Sequence, residues 1–122
     1  MGEHHVGHLD DVPDDRALIV DVEGREIGVF KVGDELFAVR NRCPHQGGPV
    51  AEGGVFPALR ARHSPGEIEE YYDHDNPVVA CPWHGWEFDL RSGSCLADPA
   101  RRVATYDVVV RDGELSIVTK ET

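Results

Sequence analysis

Basic residues are scarce in this sequence. Twelve lysines and arginines stand against 23 aspartates and glutamates, for a net charge of −11. That balance argues against nucleic acid, whose phosphates the protein would repel. It keeps a small protein in solution, and it also suits steering toward a basic face on a partner protein. Long apolar runs are missing too: no stretch approaches the ~20 residues that a bilayer-spanning helix requires, so no membrane role is expected. The opening MGEHHVGHLDD has neither the positive segment nor the apolar stretch of a secretory signal. Cysteine is limited to three residues, an odd number that fits a reducing cytoplasm better than a disulfide framework. Before residue 60 there is no sustained helical period. A chain of 122 residues holds one domain, 1–122, with no room for a separate substrate-binding domain, so no small-molecule substrate is expected.

What is present is a succession of short β-prone runs divided by glycine turns. Ala17–Val22 is apolar and β-branched, and Glu23-Gly24 follows as a turn. Glu26–Val32 reads as a second strand, Gly33-Asp34 turns it, and Leu36–Arg40 returns. Val103–Val110 and Leu115–Val118 form a further pair around Asp112-Gly113. These are hairpin signals, and the expected fold class is all-β, with packed antiparallel sheets. A weak helical signal lies over Gly66–Tyr72, where Ser64-Pro65 opens a turn ahead of Glu67, Glu69 and Glu70.

The strand pattern breaks at two loops rich in proline and glycine, CPHQGGP over 43–49 and CPWHGW over 81–86. Each holds one cysteine and one histidine: Cys43 with His45, and Cys81 with His84. Gly47, Gly48 and Gly85 permit backbone conformations that other residues resist, and Pro44 and Pro82 restrict the chain just after each cysteine. Thiolate and imidazole are competent ligands for iron and for zinc. A structural zinc knuckle spaces its paired ligands by two to four residues, whereas Cys43 and His45 are separated by one. A Cys43–Cys81 disulfide would leave both histidines without a reason to recur. A [2Fe–2S] cluster with both sulfurs on one iron and both nitrogens on the other uses all four residues.

The spacing C-x-H … C-x-x-H, with Gly47 and Gly48 after the first histidine and Gly85 after the second, resembles the Rieske family. The run CPWHGWEFDLRSG resembles soluble Rieske ferredoxins and the N-terminal domains of Rieske oxygenases, and the likeness extends from about Val6 to Val118. It implies a Rieske-type antiparallel β-sandwich with a small cluster-binding subdomain formed by two loops, and one [2Fe–2S] cluster. Cys43 and Cys81 would be the buried anchor, with His45 and His84 as the exposed electron port. Pro44, Gly47, Gly48, Pro82, Trp83, Gly85 and Trp86 would form the supporting shell, the two tryptophans walling the cluster. Against the pattern of high-potential family members, Gly48 and Trp83 replace two disulfide-forming cysteines, Trp86 replaces a serine and Phe88 a tyrosine. Each departure removes a cross-link or a hydroxyl donor, which places the expected potential toward the bottom of the roughly −150 to +300 mV range. The implied role is a soluble one-electron carrier and not itself an enzyme. It would pass electrons from an NAD(P)H-dependent flavin reductase to a terminal oxygenase, often one acting on aromatic rings. A different role for such a domain is the small subunit of an NAD(P)H-dependent nitrite reductase, though that group often lacks cluster ligands that this chain keeps. A zinc-stapled binding module is a third.

Some residues fall outside this scheme. Cys95 reads as a buried small hydrophobe. His4, His5 and His8 are expected in a frayed, solvated N-terminus. Arg101 and Arg102 are expected at an exposed strand edge, within reach of an acidic neighbour. The two loops are separated by the 35 residues 46–80, more than compact Rieske ferredoxins carry, and the extra material is assigned to an insertion at about 55–77. His63, His74 and Asp73 or Asp75 could imitate a 2-His-1-carboxylate iron site there, but a surface loop does not preorganise one.

Overall fold

The computed structural model describes residues 2–14, 16–44, 47–83 and 85–119. Its strands are β1 (Gly2–His8), β2 (Leu18–Val22), β3 (Arg25–Val32), β4 (Glu35–Arg40), β5 (Val55–Ser64), β6 (Glu67–Ala80), β7 (Glu87–Asp89), β8 (Thr105–Arg111) and β9 (Glu114–Thr119). One antiparallel sheet has the order β1-β9-β8-β4-β3-β2 and the other β5-β6-β7. The expected all-β class is therefore what forms.

Turn chemistry explains the hairpins. Glu23-Gly24 and Asp112-Gly113 both take positive φ at two successive residues, the type I′ geometry that matches strand twist. Pro65-Gly66, with Gly66 at φ 81°, makes the β5–β6 turn, proline first and glycine second. The weak helical signal over Gly66–Tyr72 is overridden. Residues 67–72 lie in β6, paired with 59–64, because register with β5 satisfies every second backbone group along both strands.

The N-terminus departs from expectation as well. Gly2–His8 is not frayed but pairs antiparallel with β9, from Gly2↔Thr119 to His8↔Glu114, with a bulge between His5 and Gly7. Its sequence has a single large apolar residue, Val6, so alternation could not announce a strand; the open edge of β9 organises it. His5 pairs with Glu114, and the ring of His4 lies 3.3 Å from Glu23 at the β2–β3 turn. The two edges of the larger sheet thus curl toward one another around Val22, Ile27, Val29, Leu115 and Ile117.

A second apolar cluster joins the two sheets. It contains Phe30, Phe37, Val39, Val50, Val79, Phe88, Leu90 and Val103, and all three cysteines. Gly28 permits this junction, because a Cβ there would stand 2.3 Å from that of Ala51 in the short 3-10 turn Val50–Glu52. At the rim Arg91 ties the sheets together. Its guanidinium forms a bidentate pair with Glu35, donates to the Asp75 carbonyl and stacks 5.2 Å from the centre of the Phe37 ring. No described helix is long and apolar enough to cross a membrane.

Candidate metal centre

The two cysteine loops share one hydrogen-bonded frame. In the first, the Cys43 N–H donates to the Gly48 carbonyl at 2.8 Å, and the Cys43 carbonyl accepts from the Gly47 N–H at 2.8 Å. In the second, the Cys81 N–H donates to the Trp86 carbonyl at 2.7 Å, and the Cys81 carbonyl accepts from the Gly85 N–H at 2.9 Å. Gly47 and Gly85 close these turns at φ 74° and 71°, a left-handed conformation that carries little penalty only for glycine. The loops thus share the same closing hydrogen bonds at their described residues, although histidine is the third residue of one sequence and the fourth of the other. His45 and His84 themselves lie outside the described residues.

Each frame holds its cysteine inward. Cys43 is 3% exposed and Cys81 2%, and neither these two nor the buried Cys95 is in a disulfide. Val50, Val79, Phe88 and Leu90 are buried in the same cluster behind them. The loops meet at Gly48, which lies within the second loop's reach: a Cβ there would stand 3.1 Å from the Cys81 Sγ and 3.0 Å from the Trp83 indole. A larger residue at 48 would fill the space between the loops. Soft thiol donors from two facing loops, with that cradle kept clear, fit an iron–sulfur cluster.

Deeper support comes from residues that sequence patterns did not single out. Gly53 lets the chain leaving the first loop press against the strand entering the second, since a Cβ there would come within 1.6 Å of the Ala80 carbonyl oxygen. The Gly53-Gly54 pair was the available sign. Trp83, expected as a wall, covers Gly48 on one side but is 57% exposed on the other. Trp86 is half-buried beneath the Arg101 guanidinium, 5.3 Å from its ring centre, and Arg101 also lies 3.4 Å from Asp98. Arg102 instead donates to the Ser92 carbonyl. Cys95 is buried as expected, its N–H bonded to the Arg101 carbonyl.

The imitation iron site in the insertion is not assembled. His63 pairs with Ile68 near the hairpin turn and Asp73 pairs with Ala58, five register positions apart. At about 3.3 Å per residue that is roughly 17 Å. The His74 side chain lies outside what is described.

Residues 2–107 match the family model of the Rieske [2Fe-2S] domain. The chain is 33% identical, over 99% of its length and 98% of the relative's, to the 3-phenylpropionate/cinnamic acid dioxygenase ferredoxin subunit of Photorhabdus laumondii. Among solved structures it is similar to the ferredoxin of carbazole 1,9a-dioxygenase from Nocardioides aromaticivorans IC177, with TM-score 0.72 and 27% identity over 98% of this chain and all of that one. It is also similar to a structure described as the NADH-dependent nitrite reductase small subunit of Mycobacterium tuberculosis, with TM-score 0.76 and 22% identity over 99% of this chain and 97% of that one. That last likeness speaks to the fold alone.

Proposed function

Because this chain belongs to the Rieske [2Fe-2S] domain family, we propose that it is a soluble, cytoplasmic one-electron carrier whose cluster is held by Cys43 and Cys81 on one iron and by His45 and His84 on the other. Family membership implies a Rieske-type [2Fe–2S] cluster, and the relatives named as dioxygenase ferredoxin subunits support an electron-transfer role rather than catalysis. The bound cluster supplies a site that takes up and releases one electron. The protein's own task is to hold that site. Paired loop frames fix the cysteines, and buried Val79 and Phe88 exclude water behind them. Gly48 keeps the space between the loops clear. The observation that carries the reading is this pair of matched loops burying one cysteine each, neither in a disulfide.

The acceptor is a terminal oxygenase acting on aromatic rings, a reading that rests on the named relatives, and the donor, an NAD(P)H-dependent flavin reductase, is implied by the family resemblance. The whole chain forms one Rieske domain, with 55–77 as an insertion between the ligand loops. Phe88 is fully buried and brings no hydroxyl, and Gly48 and Trp83 offer no thiols for a cross-link between the loops, which supports a low potential. Anaerobic dithionite titration followed by visible and EPR spectroscopy tests the reading. Uptake of one electron per chain at a negative potential is expected; a colourless protein with stoichiometric zinc overturns it. A second reading, already raised from the sequence, is permanent attachment to a larger oxidoreductase such as an NAD(P)H-dependent nitrite reductase. Recovery of a stable large complex in pull-down would favour that one.

A further inference from the structure

Gly48 is a glycine for want of space and not for its backbone. Gly47 beside it takes φ 74°, whereas Gly48 is not among the residues with left-handed φ, so its own conformation makes no demand for glycine. What excludes a side chain is the second loop. A Cβ at 48 would stand 3.0 Å from both Cγ and Cδ2 of the Trp83 indole and 3.1 Å from the Cys81 Sγ. Gly48 is buried, and its carbonyl accepts from the N–H groups of Cys43 at 2.8 Å and Val50 at 2.9 Å, so it is a fixed part of the first loop. Trp83 lies on this bare backbone with part of its ring and leaves 57% of itself in water.

The hydrogen bonds of the two frames close each loop on itself, and the chain links the loops at their base, where the Ala80 N–H donates to the Gly54 carbonyl at 3.1 Å. Farther out, the second loop reaches the first through the indole. A flat ring laid on a glycine gains dispersion and covers apolar surface, with no covalent bond needed. We infer that Trp83 is a clasp, a positioning residue whose ring, seated on Gly48, holds the second ligand loop to the first and keeps water from the Cys81 sulfur. The inference rests on the cluster reading above, since the cluster is what parted loops would release. Without the ring, water gains access to the thiolate side. Water there favours the reduced cluster, which carries one more negative charge, and so raises the potential.

Two readouts on the holoprotein test the clasp: anaerobic loss of the cluster to excess EDTA, followed as decay of visible absorbance, and the reduction potential. The proteins are wild type, W83F, W83A and Y72A. The last removes an aromatic of similar exposure, 63%, from the distal arm of the β5–β6 hairpin, away from the loops. W83A is expected to lose its cluster roughly tenfold faster than wild type and to have a higher potential. W83F keeps a flat ring on Gly48 and should decay within about twofold of wild type, as should Y72A. W83L, apolar but not flat, takes the place of W83A if that variant assembles no cluster, and the same two changes are expected of it. Decay at the wild-type rate or an unchanged potential in W83A, or in W83L standing in for it, overturns the clasp. So does W83F decaying as fast as the variant without a ring. A wild-type protein without iron–sulfur absorbance overturns the cluster reading itself, which the variants alone cannot do.

Discussion

At its base the β5–β6 hairpin buries its β6 side in the core, while Val55 and Phe56 of β5 are exposed, and beyond its bulge it is surface. Val78 and Val79 are fully buried and paired with Phe56 and Val55, two residues before Cys81 begins the second loop. Past the register shift between Pro57 and Ala58, every side chain from Ala61 to Tyr72 is exposed. The same two strands therefore do two jobs. The base is fixed by packing and hands its order on to the metal centre. The distal arm is held by its own ladder, by the Pro65-Gly66 turn and by local pairs such as Arg62 over the Tyr71 ring at 5.1 Å. Order at the ligand loops thus depends on the buried end of this hairpin and not on its length.

The sharpest division predicted is among the cysteines at the buried end. C43S or C81S should yield protein without the visible spectrum and EPR signal of the cluster, while C95A, in the same apolar cluster, should retain both. Next in size is G53A. A Cβ 1.6 Å from the Ala80 carbonyl cannot be accommodated without moving backbone, and a loss of about 3 kcal/mol in chemical denaturation is expected. The distal arm should behave oppositely. Replacing residues 59–72 by Asn-Gly, which joins the paired Ala58 and Asp73 directly and keeps Asp75 for Arg91, should change stability by less than about 1 kcal/mol and leave the reduction potential unaltered. A large shift in potential on that deletion would erase the distinction between base and arm.

The smallest effect concerns the rim pair. The Arg91 hydrogen bond holds the Glu35 carboxyl below its ordinary value, against a small opposing effect of burial. The charged form is thus favoured in the folded protein, so its contribution is present above the ordinary pKa of 4.5 and is lost as pH falls through the lowered one. E35Q should therefore be slightly less stable than wild type at neutral pH, with the gap closing in acid. Both groups are solvent-exposed, so the gap is small. Denaturant midpoints of the two proteins at neutral and acidic pH measure it.

The two cysteine loops were largely legible in the sequence because their demands are local. Cys43 and Cys81 mark the proposed donors, and Gly47 and Gly85 are glycines since each loop closes through a left-handed residue. Strands β2, β3, β4, β8 and β9 were legible for the same reason, apolar alternation bounded by turn residues. The arm was not. EIEEYYDHD carries no one-sided alternation because neither of its faces is buried, and its glutamates favour helix in isolation. Nor was β1, whose pairing partner lies more than a hundred residues away. The Gly53–Ala80 approach and the Arg101–Trp86 stack are tertiary facts with only faint local marks.

The central claim is that two cysteines and two histidines share one [2Fe–2S] cluster, and pulsed EPR of the dithionite-reduced protein tests it most directly. Two distinct, strongly coupled histidine nitrogens are expected, both present in wild type and in C95A, with an average g well below the free-electron value. A reduced cluster without nitrogen couplings, or a protein that takes up zinc and gives no EPR signal after iron-replete anaerobic preparation, would contradict it.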